Sequence, residues 1–158
     1  MEVWQLDMSS YKSVLEFAVR AEKELERVVI ALLNAGISAG KFEVFEQDES
    51  TLTVNVVSTF LLALALLPKL KATSVKFNTR PNLTITASEV HRVTQFKEKD
   101  VAEGQIFAKL NEHTDDMQER YFVSKMMEVL IIRAMADRKT ASQIPVTINC
   151  VNPGYCRS

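Results

Sequence analysis

Three short runs rich in β-branched and aliphatic residues constrain this chain more than any other feature, because each is closed by a turn former and separated from the next by helix-length sequence. Val28-Val29-Ile30-Ala31-Leu32-Leu33 ends at Asn34-Ala35-Gly36, Leu83-Thr84-Ile85-Thr86 ends at Ala87-Ser88, and Val146-Thr147-Ile148-Asn149-Cys150-Val151 ends at Asn152-Pro153-Gly154. The first, an unbroken apolar run of strand length, reads as a parallel strand buried on both faces. Between the runs, apolar residues recur at helical spacing. A helix is expected from Ser9 or Ser10 to about Glu26, with Val14, Leu15, Ala18, Val19 and Leu25 on its apolar side. Two long ones are expected at about 49–71 and 120–138, with a loop through Lys41 and Phe45 before the first. Strands alternating with such helices make an α/β sheet with right-handed crossovers.

Size and composition narrow the function classes. The 158 residues are those of one domain, and 47% hydrophobic with 25% charged residues is an ordinary globular balance. Nineteen basic against twenty acidic side chains leave a formal charge of −1, so the chain lacks the basic field that nucleic acid or anionic membrane requires. Cys150 and Cys156 stand alone near the C-terminus, which suggests neither a disulfide framework nor a metal knuckle. A reduced, cytoplasmic setting is the expectation. The N-terminus shows no secretory signal pattern. The most apolar run, Thr59 to Leu67, stops at Pro68 and Lys69, short of the roughly 20 residues that span a bilayer. No transmembrane segment is expected, and the run reads as a core helix.

Chemistry concentrates in Tyr121-Phe122-Val123-Ser124-Lys125. Four-residue spacing on a helix stacks Tyr121 and Lys125 on one face. A tyrosine ionises near pH 10, so general acid–base work near neutrality needs a cation that favours the phenolate, at about 1.4 kcal/mol for each tenfold rise in the ionisation constant. In open parallel sheets, ligands sit beyond the carboxyl ends of the strands, which is where Asn34-Ala35-Gly36, Ser88 and Pro153-Gly154 fall. Taken singly, Gly36 and Gly154 serve equally well as strand-end turn residues, Ser88 as a helix cap, and Asn55 as a structural hydrogen-bonding amide. His91, three residues after Ser88, is assigned to the loop.

The ordered set N-A-G, then Asn55, Ser88, Y-x-x-x-K and N-P-G resembles the short-chain dehydrogenase/reductase family over nearly the whole chain. The resemblance implies a Rossmann-like, doubly wound parallel sheet. It implies that Tyr121 exchanges a proton with a substrate carbonyl or carbinol oxygen, that Ser88 bonds the same oxygen, and that Lys125 lowers the tyrosine pKa and holds the nicotinamide ribose. Asn55 would anchor a relay water. The cofactor, NADP or NAD with NADP favoured, would also meet Asp7, Asn34, Ala35, Gly36, Pro153 and Gly154. The substrate would be a small-molecule carbonyl compound or secondary alcohol, apolar or bulky. A homodimer through the helices at about 49–71 and 120–138 would match many relatives.

Two departures from the family pattern carry expectations of their own. The chain has no T-G-x-x-x-G-x-G turn for the cofactor pyrophosphate, and its four glycines lie at positions 36, 40, 104 and 154. It therefore reads as a single partial domain truncated at the N-terminus and after the sixth strand. Such a sheet should expose the edge at Val28 to Leu33. Ser88 and Tyr121 also stand 33 positions apart, so Glu89 to Glu119 resembles the insert of retinol-dehydrogenase-like and fungal secondary-metabolism members. The competing expectation is a catalytically inactive remnant that serves only as an association module.

Overall fold

The computed structural model describes residues 2–138 and 143–154. Helix α1 spans Tyr11–Glu24 and opens at Ser10, whose hydroxyl accepts from Ser13 N at 3.4 Å. Its buried face is Val14, Ala18 and Ala21, while Leu15 and Val19 face solvent. Strand β1 is Ile30–Leu33. In place of the loop expected through Phe45 there is a small antiparallel hairpin, β2 (Val44–Phe45) with β3 (Asp48–Glu49). Its two-residue turn puts Glu46 at φ 57°, and the Glu46 carboxylate accepts from Tyr11 N at 2.9 Å, anchoring the hairpin to the start of α1.

Helix α2 runs continuously over Ser50–Phe77, six residues past the expected end. Glu49 caps it while fully buried: its carboxylate accepts from Thr51 N, Leu52 N and the Ser50 hydroxyl, and its own N–H donates to Asn111 Oδ1 at 2.8 Å. Pro68 does not stop the helix, because it lies on the solvent face, where the Leu64 carbonyl it leaves without a helical partner can meet water. Asn78, left-handed at φ 46°, ends it. α2 is long and apolar enough to cross a membrane, but 72% of its most apolar window is buried inside the protein, which is the burial of a core helix.

Strand β4 (Asn82–Thr86) is followed by two short 3-10 turns, Glu89–Arg92 and Lys97–Asp100, then helix α3 (Ile106–Leu110), helix α4 (Met117–Arg138) and strand β5 (Thr147–Val151). Cys156 lies outside the described residues. The sheet is parallel throughout, in the order β1-β4-β5, with Ile30 beside Asn82 and Asn82 beside Thr147. Alternate residues Ala31, Leu33, Leu83 and Ile85 enter one core with Leu62, Leu66 and Leu70 of α2 and with Val123 and Met127 of α4. The expectation that the first strand is buried on both faces is corrected: Ile30 and Leu32 are 71% and 59% exposed. In the described residues the helices cover one face, and β1 is an edge strand, as the partial pattern predicted. The fold is a partial Rossmann-like α/β sheet.

Candidate active site

Because all three strands are parallel, their carboxyl ends open on one edge, and a cavity of about 340 Å³ lies there. Asn34, Gly36, Ile37 and Ser38 line it after β1, Thr86, Ala87 and Ser88 after β4, Pro153 and Gly154 after β5, and Tyr121 and Lys125 from α4. The fold thus brings Asn34, Gly36, Ser88, Tyr121, Lys125, Pro153 and Gly154 together. Among the described residues, Lys125 is the one formally charged side chain in the lining.

Lys125 is 4% exposed, and its ammonium is held at fixed points. It donates to the Thr86 carbonyl at 2.8 Å and to Glu128 Oε1 at 2.9 Å, which leaves one of its three N–H bonds for the cavity. The ammonium lies 5.9 Å from the Tyr121 ring centroid. Ser88 lies half-buried at the end of β4; its hydroxyl accepts weakly from Val90 N at 3.5 Å. His91 stands in the following 3-10 turn, with Nδ1 against the Ser88 carbonyl, and does not line the cavity. Gly154, at φ 75°, adopts a left-handed turn closed by its N–H donating to Asn152 Oδ1 at 3.1 Å.

Asn55 sits under the cavity, fully buried, in a π-helical stretch of α2 at Thr53–Ser58. Oδ1 accepts from Ile37 N at 2.8 Å, and Nδ2 donates to the Ile37 carbonyl at 2.8 Å and to Ser124 Oγ at 3.0 Å. Both amide N–H bonds are therefore spent, and a water could take only the second lone pair of Oδ1. Ser124 in turn donates to the Tyr121 carbonyl at 2.7 Å. The amide is a clamp between the loop after β1 and the helix carrying Tyr121. Gly36 completes it: a Cβ there would stand 3.2 Å from Asn55 Oδ1 and 3.5 Å from Lys125 Nζ, so the glycine permits close approach.

Two residues expected at the cofactor, Asp7 and Ala35, do not line this cavity. Asp7 is exposed at the start of α1, its carboxylate accepting from Ser9 N and Ser9 Oγ, and those hydrogen bonds hold its pKa below the ordinary value. Ala35 faces a larger, apolar cavity of about 630 Å³ between the N-terminal segment, α1 and the free edge of β1. Sequence reasoning missed three residues: Ser124, the Thr86 carbonyl and Glu128. Glu128 was the legible one, an acid inside the apolar stretch Met126-Met127-Glu128-Val129-Leu130 and one helical turn beyond Lys125. Burial pushes its carboxyl up to about 7 despite the attraction of Lys125.

This fold and site define a Rossmann-like α/β domain with a Tyr-x-x-x-Lys cavity at its strand ends, and the comparisons with known proteins are consistent with it. The chain is 51% identical over 164 residues to the short chain dehydrogenase/reductase dmxR8 of Cryptosporiopsis sp., covering 100% of this chain and 50% of that protein. It is 40% identical to the short chain dehydrogenase atnD of Emericella nidulans, over 100% of this chain and 51% of that one. Among solved structures, NADH-dependent reductase A1-R' complexed with NAD superposes with a TM-score of 0.70 at 18% identity, over 98% of this chain and 57% of that one. A short chain dehydrogenase from Escherichia coli CFT073 complexed with NADPH gives 0.62 at 25% identity, over 96% and 54%. No family model matches. Over its whole length the chain is similar to these short-chain dehydrogenases/reductases, and it spans about half the length of the curated relatives it matches.

Proposed function

We propose that this chain carries the proton-transfer half of an NAD(P)-dependent oxidoreductase that interconverts a carbonyl compound and a secondary alcohol. The observation that supports it is the convergence of Tyr121, Lys125 and Ser88 on one cavity at the carboxyl ends of three parallel strands. A nicotinamide cofactor fits the donor set, since Lys125 lines the cavity with one N–H that neither the Thr86 carbonyl nor Glu128 takes. Lys125 would hold its nicotinamide ribose, Asn34, Ala35 and Gly36 would border its adenine-side ribose, Pro153 and Gly154 would flank its nicotinamide ring, and Asp7 would reach its adenine. When bound, the cofactor supplies or accepts the hydride. The solved relatives carry NAD in one case and NADPH in another, which supports a dinucleotide without choosing between them.

In this reading the Tyr121 hydroxyl gives a proton to the substrate oxygen in reduction and takes it back in oxidation, while Ser88 Oγ orients that oxygen. Lys125, 5.9 Å from the Tyr121 ring centroid, would place positive charge beside the phenol as it gives up its proton. Asn55 keeps the Gly36–Ile37 loop and the Tyr121 helix in register. The insert from Glu89 to Glu119 would border a bulky apolar substrate, and the secondary-metabolism role expected from it belongs to the same reading.

Fluorescence titration of the purified chain with NADH and NADPH tests the proposal. Binding below millimolar supports it, and no binding at millimolar favours the second reading, an association module. Exposed Leu64 and Val75 on α2 and Leu130 on α4 give that reading a surface. In a chain that turns over a ketone, Tyr121→Phe should reduce the rate at least about a hundredfold while cofactor affinity stays within about twofold. An unchanged rate would remove Tyr121 from the mechanism.

A further inference from the structure

Glu128 lies on α4 three residues beyond Lys125, 1% exposed. Its Oε1 accepts from the Lys125 ammonium at 2.9 Å, and its Oε2 is buried with no hydrogen-bond partner among the described residues. The titratable groups that face it are Lys125 from its own helix and Cys150 from β5, whose thiol is pushed up by burial and by the Glu128 charge. The same ammonium is bonded from β4 by the Thr86 carbonyl. The carboxylate therefore acts on the one cation of the cavity from behind, out of reach of any substrate.

We infer that Glu128 is a positioning residue for the Tyr121/Lys125 pair, fixing the ammonium and setting how much of its charge reaches the phenol. The inference rests on the proton-transfer reading of Tyr121 given above. With Glu128 ionised, the buried pair is neutral as a whole, and Tyr121 feels a dipole. With Glu128 protonated, Tyr121 feels a full cation with little water to screen it. Oε2, which lacks a donor, is the oxygen on which a proton removes the larger penalty. Because burial brings this carboxyl to about 7, both forms are populated around neutrality. A salt bridge that served packing alone would leave the tyrosine indifferent to the choice.

Tyrosinate absorbance of the purified chain, titrated without cofactor and referenced to Tyr121→Phe, reads this directly. Near pH 10 Glu128 is ionised in the native chain, so Glu128→Gln should move the Tyr121 midpoint by about one pH unit, downward where the ammonium keeps its proton and upward where, buried and unpaired, it loses it. An unchanged midpoint in a Glu128→Gln chain that keeps its circular dichroism would overturn the inference. Glu128→Gln leaves a buried cation unpaired, so a second comparison covers a variant that does not fold. In the double variant Lys125→Met with Glu128→Gln, a neutral pair replaces a neutral pair, and the midpoint should lie above the native one by less than about one pH unit, the part of the ammonium charge that Glu128 leaves for the phenol. A native midpoint about one pH or more below that of the double variant would show the ammonium charge undamped, and would also overturn it. The proposed function fails by a different reading, unchanged turnover in Tyr121→Phe, so the two failures are separable.

Discussion

At Glu128 the physics of burial opposes the physics of pairing, and burial wins. A carboxyl whose native pKa lies near 7, above its ordinary 4.5, binds more protons folded than unfolded between those values. Its stabilising contribution is thus complete below about 4.5 and is lost as pH rises through about 7, with a full span on the order of 3 kcal/mol. Urea midpoints at pH 5 and pH 8 should show the native chain losing stability relative to Glu128→Gln over that interval. A constant difference would place the carboxyl outside it. The residues that act on the cavity from within were readable as types at positions: Tyr121, Lys125 and Ser88 follow from spacing and strand-end placement. The clamp was not readable. Nothing in the sequence shows that Asn55 spends its amide on Ile37 and Ser124, residues 18 and 69 positions away, because that pairing exists only once the helices are packed.

Helix α2 shows how an element can override its own local signals. Pro68 closes the most apolar run, yet the helix continues to Phe77, because Pro68 is on the wet face and the buried Leu62, Leu66 and Leu70 hold the other side to the core. Pro68→Ala should restore an N–H to the helix at a site already helical, and is expected to raise stability by about 1–3 kcal/mol in urea denaturation, the native proline's stiffening of the unfolded chain offsetting part of the gain. A lower midpoint would mean that the proline fits the helix better than its missing N–H suggests. The π-helical stretch at Thr53–Ser58 was equally invisible to periodicity, since one wide turn shifts the register without altering composition. Strand boundaries were legible to within about two residues, because β-branched runs closed by Asn, Ser and Pro-Gly mark both ends. Burial on both faces of β1 was not. An apolar run reports what a strand is suited to pack against, and in the described residues no helix covers Ile30 and Leu32.

Among the described residues, that bare face and the free edge of β1 adjoin the 630 Å³ apolar cavity, and together they predict self-association of this chain. Leu32→Lys places a charge on the edge strand and should slow the growth of light scattering at high protein concentration while the circular dichroism is kept. Scattering that rises as fast as in the native chain would move the sticky surface elsewhere, to the outer faces of α2 and α4. The strand pairings also have a temporal consequence. Ile30 meets Asn82, and Asn82 meets Thr147, so each ladder closes a loop of more than fifty residues before its first bond forms. The helices can form early from local contacts, whereas the strand ends that shape the cavity come together only when both long loops have closed. In refolding, the Tyr121 environment should therefore be among the last features to mature.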